Sequence, residues 1–397
     1  SIKPYGSDHN QFNPAMAVFE PTGSIVAWQL RVRVLPVGRM PAGKTRRYQG
    51  GDIMLNRRMV LWRGLAAGAA STAFGRSAFA EPGWEGVVAK AKAEGRAIYY
   101  SSGIAKTEEP LMAQFGKTAG FAVEYARPGG GEIVLRKYEQ EIKGGAESAD
   151  VCGLSDYALG IYARDKGYAA TPDLPNLAKL SSAFAMTDPG IYPTGGLTMP
   201  IIVNKTMIPD GQGPTKYTDL IDPKYKGKIL FGAPENAGTS TLLIKGLVEQ
   251  HGWDFIKALR ANEVSEMRLQ AEAMQAVARG EKPICVVAQA WGFLYQLQGA
   301  PTRMIFPEDG TVLARYCFFI SKKAAHPAAG AVLANHLLSA DYQKALAEEN
   351  GFYGSNSDAP PPPGMPAVAA LKIYSPNLVE LTAQRGEIID TWRKIMG

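Results

Sequence analysis

Four turns in this sequence place hydroxyl, amide or glycine residues directly ahead of a predicted helix, where backbone N–H groups point at whatever lies in front. Ser101-Ser102 follow the apolar run Ala97-Ile98-Tyr99-Tyr100 and precede a helix beginning near Lys106. Gly129-Gly130-Gly131 open an amphipathic helix through Lys143, with Ile133, Leu135, Tyr138 and Ile142 on one face. Gly238-Thr239-Ser240-Thr241 open a long helix to about His251, and Gln270-Ala271 begin a shorter one over about 271–279. The first N–H groups of a helix have no intrahelical acceptor and sit at the positive end of its dipole, so each turn suits an anion. Each also reads as ordinary capping, because Ser and Thr are common N-caps and Gly is common in tight turns. Arg315 adds a guanidinium whose fork matches a carboxylate or phosphate oxygen pair, with a solvated strand arginine as the alternative.

Other chemistries have less to draw on. Cys152, Cys285 and Cys317 lie inside apolar runs without the close pairing that metal ligation requires, and they read as buried thiols. A nucleophilic role for Cys152 requires a base or a helix N-terminus, and no histidine is placed to serve. His251, His326 and His336 fall on predicted helices or their edges and read as solvated. The chain is basic overall, with a sequence pI near 9.0. Yet residues 1–80 hold 11 of the 43 Lys and Arg but only 3 of the 37 Asp and Glu. The remainder is slightly acidic, which removes the case for nucleic-acid binding.

Four of those basic residues, Arg57, Arg58, Arg63 and Arg76, belong to a leader. Residues 54–80 have a basic start, an Ala- and Gly-rich apolar middle and the small-x-small ending Ala78-Phe79-Ala80, the pattern of a cleaved signal peptide. Arg57-Arg58-Met59-Val60-Leu61 fits a twin-arginine export signal, with an ordinary Sec signal as the alternative. Arg63 and Arg76 interrupt the apolar stretch, so it is not a membrane span. Met54 reads as the start, and residues 1–53 as upstream or disordered sequence. The expected location is the periplasm.

From Glu81 onward, short apolar strands alternate with helices, the α/β pattern. Strands are expected at 97–100, 121–125, 150–154, 197–204, 226–231, 283–288 and 312–320. Helices are expected near 156–166, 291–297, 327–349 and 376–396, with a rigid Pro-rich linker over 358–364. No internal repeat is visible.

Several stretches, in this order, resemble the family-1 extracellular solute-binding proteins, in the branch of the ferric-ion and phosphonate receptors. They include Tyr100-Ser101-Ser102, residues 115–125, Gly129–Glu132, Ala149-Asp150-Val151 with Asp156, Tyr217–Ile229, Val277–Glu281, Gly299-Ala300-Pro301 and Pro307–Thr311. The resemblance implies an α/β, type II periplasmic-binding-protein fold, with two α/β lobes joined by crossing hinge strands that close on ligand. One lobe would comprise 81–196 plus about 311–340, the other 197–310 plus about 341–397. It also implies a monomeric receptor without a cofactor, handing its ligand to an ABC permease in the inner membrane.

In such a fold the four turns converge on one cleft. The ferric members hold iron with two adjacent tyrosines, and the matching positions here are Gln289-Ala290, followed by Trp291. Hard ferric iron favours phenolate and carboxylate oxygens, so that place lacks a metal site. Tyr99 and Tyr100 cannot form the pair, because strand neighbours face opposite sides. Gln289, Trp291, Tyr295, Tyr316 and Arg315 instead suit a small organic anion, a carboxylate, phosphonate or zwitterion. Trp291 and Tyr295, at i and i+4, read equally as core packing. Asp156 receives a ligand amine or caps its own helix. The alternatives are a ferric-ion receptor and a thiaminase-like enzyme using Cys152.

Overall fold

The computed structural model describes residues 83–397, which fall within one compact unit. The leader at 54–80 and the segment 1–53 lie outside the described residues. The described chain begins α1 (Gly83–Glu94), β1 (Arg96–Ser101), α2 (Ala105–Ala119), β2 (Ala122–Ala126), α3 (Gly131–Lys143), β3 (Val151–Leu154), α4 (Tyr157–Asp165), β4 (Ala169–Ala170) and β5 (Tyr192–Thr198). It continues through β6 (Ile201–Asn204), β7 (Ile229–Gly232), α5 (Gly238–Ala261), β8 (Ser265–Met267), α6 (Gln270–Ala278), β9 (Ile284–Val286), α7 (Gln289–Leu297) and β10 (Thr302–Ile305). The last third is β11 (Thr311–Ser321), α8 (Pro327–Leu337), α9 (Ala340–Asn350), β12 (Tyr353–Gly354), β13 (Ile373–Tyr374) and α10 (Leu378–Met396).

These strands form two sheets, one per lobe. The larger runs β12-β5-β11-β3-β1-β2, with β4 and β13 also paired to β11; the smaller runs β10-β6-β9-β7-β8. β1 pairs in parallel with β2 and β3, and β7 in parallel with β8 and β9, as βα crossovers require. The long β11 lies antiparallel between β3 and β5. Val151, Phe318, Ile320 and Leu333 are fully buried on one side of the larger sheet, and Tyr138, Cys152, Cys317 and Phe319 on the other. Tyr99 belongs to the first group and Tyr100 to the second.

Between the two sheets the chain crosses twice, and its last helix crosses once more. It leaves the larger sheet at the end of β5 and enters the smaller at β6; it returns between β10 and β11. The single strand expected over 197–204 is therefore two. Pro200, which has no N–H to give a ladder, sits at the break between them.

The C-terminal third differs from the sequence expectation. Residues from about 341 were expected with the smaller lobe, but β12 is an edge strand of the larger sheet and α9 packs on it. Only α10 joins the smaller lobe, lying along α5 and also touching α4. It is fastened there by Lys245 to Glu380 and Gln384 at 3.0 and 3.1 Å. Buried Trp392 stacks on Phe231 and donates its ring N–H to Glu266.

The three histidines are not solvated. His326 bonds to buried Asp150 at 3.0 Å. His336 stacks on Phe115, with ring centroids 3.9 Å apart, and burial pulls its pKa down to about 4. His251 lies 3.7 Å from Asp309. Among the described residues no helix is long and apolar enough to cross a membrane.

Candidate functional site

A cleft of 420 Å³ lies between the lobes, bounded by α3 and α4 of the larger, α5 and α10 of the smaller, and β11. Its walls include Gly130, Gly131, Asp156, Gly238, Thr239, Arg315 and Tyr316. Seven of the residues singled out from sequence thus meet in one place.

Two helices enter this cleft by N-termini that no side chain caps. Gly130 precedes α3 in extended geometry, and Ala237 precedes α5 in the same way; neither makes a side-chain cap hydrogen bond. One helix comes from each lobe. The unshared N–H groups and dipole ends therefore face the cleft from both sides, an arrangement that favours negative charge. α4 differs, because Asp156 accepts from the Ala158 N–H at 2.9 Å and caps it. Burial raises the Asp156 pKa, opposed by that hydrogen bond and more weakly by the Arg385 charge.

Arg315 supplies the charge. Its cross-strand partner is Gly196, which offers no side chain to cover it. A register shift follows at Tyr316/Cys317; such bulges re-aim neighbouring side chains, and both Arg315 and Tyr316 line the cleft. The Nε of Arg315 is buried, and among the described residues it has no hydrogen-bond partner. Burial pulls the guanidinium pKa down, opposed by Tyr157 and Asp188. Asp188 itself is ion-paired with Arg164. Arg385 of α10 is a second guanidinium on the wall, with Asp156 and exposed Glu132 as the acids beside it.

A smaller cavity of 120 Å³ adjoins the cleft, and Tyr316 lines both. Ser101 and Ser102 lie here with Tyr99, Glu108, Tyr342 and Phe352, while Ala290 faces them from the other lobe. The first of the four turns therefore belongs to this smaller cavity and not to the cleft that holds Arg315.

Five other expected contacts serve the framework. Gln270 is buried; its amide donates to Thr239 Oγ1 at 2.9 Å and Ser240 Oγ at 2.8 Å and accepts from the Ala288 N–H at 2.9 Å. Both Gln270 and Ser240 are thereby occupied in fixing the start of α5. Gln289 accepts from the Thr198 N–H at 2.8 Å and from its hydroxyl, and donates to the Gly351 carbonyl at 2.5 Å. Trp291 and Tyr295 pack against Ile202, Met274 and Val277 beside the smaller sheet. The thiol of Cys152 is fully buried in β3, and burial pushes its pKa well above the usual range, the reverse of what a nucleophile needs.

Glu108 and Arg385 were missed, although each carried a sequence signal. Glu108, Met112 and Phe115 stand at i, i+4 and i+7 on α2, and Leu378, Leu381, Arg385, Ile388 and Trp392 mark one stripe of α10. A lone charge on an otherwise apolar stripe is turned inward, and an inward charge needs a partner.

Sequence comparison matches residues 153–377, more than half of the chain, to the family described as bacterial extracellular solute-binding protein. An uncharacterized protein of Haemophilus influenzae is 33% identical over 107 residues, 25% of this chain and 30% of its own length. That match spans less than a third of the relative. Three solved structures, each aligned over 76% of this chain, share the fold. The fructose-6-phosphate-bound periplasmic binding protein AfuA from Actinobacillus pleuropneumoniae has a TM-score of 0.61 at 21% identity over 98% of its chain. Iron-bound HitA from Pseudomonas aeruginosa scores 0.63 at 19% over 99%. Ferric iron-binding protein A of Mannheimia haemolytica, in an open conformation, scores 0.62 at 18% over 98%. The sequence pattern and the two-lobed fold agree: this chain belongs to the bacterial extracellular solute-binding proteins.

Proposed function

We propose that the protein is a periplasmic receptor that captures a small organic anion, a carboxylate, phosphonate or zwitterion, and delivers it to an inner-membrane ABC permease. Export through the Arg57-Arg58 leader with cleavage after Ala80, and action as a monomer, belong to the same proposal. The observation that carries it is the Arg315 guanidinium, half-buried with an unpartnered Nε, between uncapped helix N-termini from the two lobes. An anion bridging α3 and α5 bonds to both lobes at once, so its binding energy favours the closed arrangement over the open one. Gly130, Gly131, Gly238, Thr239, Arg315 and Tyr316 are the contacts of this reading.

A thermal-shift screen of carboxylates, phosphonates and amino acids tests it. A ligand at 100 times its Kd stabilises by about 2.7 kcal/mol, or roughly 4 °C for a folded body of about 300 residues. At least one anion is expected to give such a shift at 1 mM; flat melting curves across the panel would sink the proposal.

One observation favours a second reading, the ferric ion: the phenols of Tyr99, Tyr316 and Tyr342 and the carboxyl of Glu108 line one cavity. Against it, Tyr342 donates its hydroxyl to Glu108, and burial pushes all three phenols up and away from ionisation. Iron–phenolate centres are coloured, so a protein that stays colourless with ferric citrate leaves the anion reading in place.

A further inference from the structure

Glu108 is only 7% exposed, and its carboxyl lines the smaller cavity. One oxygen accepts from the Tyr342 hydroxyl at 3.2 Å and the other from the Tyr125 hydroxyl at 3.1 Å. The Ser101 hydroxyl also acts on the carboxyl, and with two acceptor positions on each oxygen one position stays open. Gly103 lets the group lie against the loop after β1, because a Cβ there would overlap the carboxylate. Among the described residues no Lys, Arg or His reaches ion-pair distance. The nearest cation, Arg127, acts only from afar and donates its Nε–H to the Gly103 carbonyl at 2.5 Å. A buried carboxylate without a cationic partner costs several kcal/mol.

Arg315 poses the same problem with the opposite sign in the adjoining cleft, and Tyr316 forms part of both walls. We propose that the ligand is a zwitterion, with its anionic group against Arg315 and an organic ammonium group against Glu108, and with its body passing Tyr316. This rests on the anion reading of the cleft. The cavity walls fit the cationic end, since Tyr99, Tyr316, Tyr342 and Phe352 line the same cavity as Glu108 and aromatic faces attract cations. Tyr316 and Phe352 meet edge to face at 5.1 Å, which holds two of those rings in place. Size also constrains the group. The cavity measures 120 Å³, and one of about 150 Å³ holds benzene, so the ammonium end is on the scale of a five- or six-atom unit. Asp156 is the weaker candidate for the ammonium, because it already caps α4.

Calorimetry on the full chain separates these statements. The probes are ω-amino carboxylates and ω-aminoalkylphosphonates with two to six methylenes, each paired with the same acid lacking the amine. At the best length the amino compound is expected to bind at least 30-fold tighter than its partner. Glu108→Gln should cut that ratio below threefold. Ala290→Leu, which fills the cavity from the opposite wall without touching the Glu108 hydrogen bonds, should reduce it likewise; melting curves establish that both variants are folded. A wild-type ratio near one at every length, with the simple acids still binding, overturns the zwitterion and leaves the anion reading standing. Binding of neither series overturns the anion reading itself. A ratio retained in Glu108→Gln but lost in Asp156→Asn overturns the assignment to Glu108.

Discussion

Replacing Arg315 with methionine is expected to lower anion affinity about 100-fold and, in the same protein, to raise the melting temperature of the ligand-free form. The two effects share one cause. Burying a polar group without a hydrogen bond costs about 1–3 kcal/mol, more when it is charged. The Arg315 Nε is such a group. Methionine keeps an unbranched stem beside Tyr157 and Leu313, which share a second pocket with the arginine, and removes the charge. Exchanging a buried charged group for an apolar one of similar volume is often stabilising; about 1 kcal/mol is expected here, or roughly 1–2 °C. For the ligand the sign reverses, because truncating one partner of a buried charged pair costs about 2–5 kcal/mol. Arg315→Lys should not restore affinity, since an ammonium lacks the bidentate fork. Calorimetric titration and a melting curve on one preparation check both halves. A variant that binds as the parent does, or melts several degrees lower, contradicts the account.

Replacing Gln289 with alanine is expected to do the opposite, costing about 3–5 kcal/mol of stability, because three buried polar groups lose their partner. The orphaned groups are the N–H and hydroxyl of Thr198 and the carbonyl of Gly351, and both Thr198 and Gln289 have 0% exposure. Thr198 ends β5, where the chain crosses between lobes, while Gly351 follows α9 on the larger lobe. Gln289, at the start of α7, therefore ties the smaller lobe to both. Gly351 can occupy that place because it turns the end of α9 at φ 65°, a left-handed conformation with Phe293 packed where a Cβ would point. The expected melting temperature is lower by roughly 5–7 °C. A Gln289→Ala protein that melts within 1 °C of wild type yet has lost its ligand would instead make Gln289 a ligand contact.

Residues that act through local geometry were legible in the sequence. Gly130-Gly131 and Gly238-Thr239 are small residues at helix starts, and both turns open into the cleft. Side chains that act over long sequence distances were not. The amides of Gln270 and Gln289 are identical in type to ligand-binding amides, and their partners lie 18 to 91 residues away. Only the fold says that those hydrogen bonds are already made. Periodicity shows that α9 has a buried face without showing which sheet it covers, so its lobe was misplaced. The crossing at Met199-Pro200 was merged into one strand because the apolar run continues through it while the pairing partner changes. Arg385 and Glu108 break apolar stripes in a way the sequence displayed; giving weight to the charged exceptions would have found them.

The central claim is that an anion is held where Arg315 and the two uncapped helices meet. A crystal structure of the complex with the tightest ligand from the screen tests it most directly. The account predicts the anionic group within hydrogen-bond distance of the Arg315 guanidinium and of N–H groups at the starts of α3 and α5. Density for the ligand away from Arg315, or an anionic end facing solvent while another part fills the cleft, would contradict it.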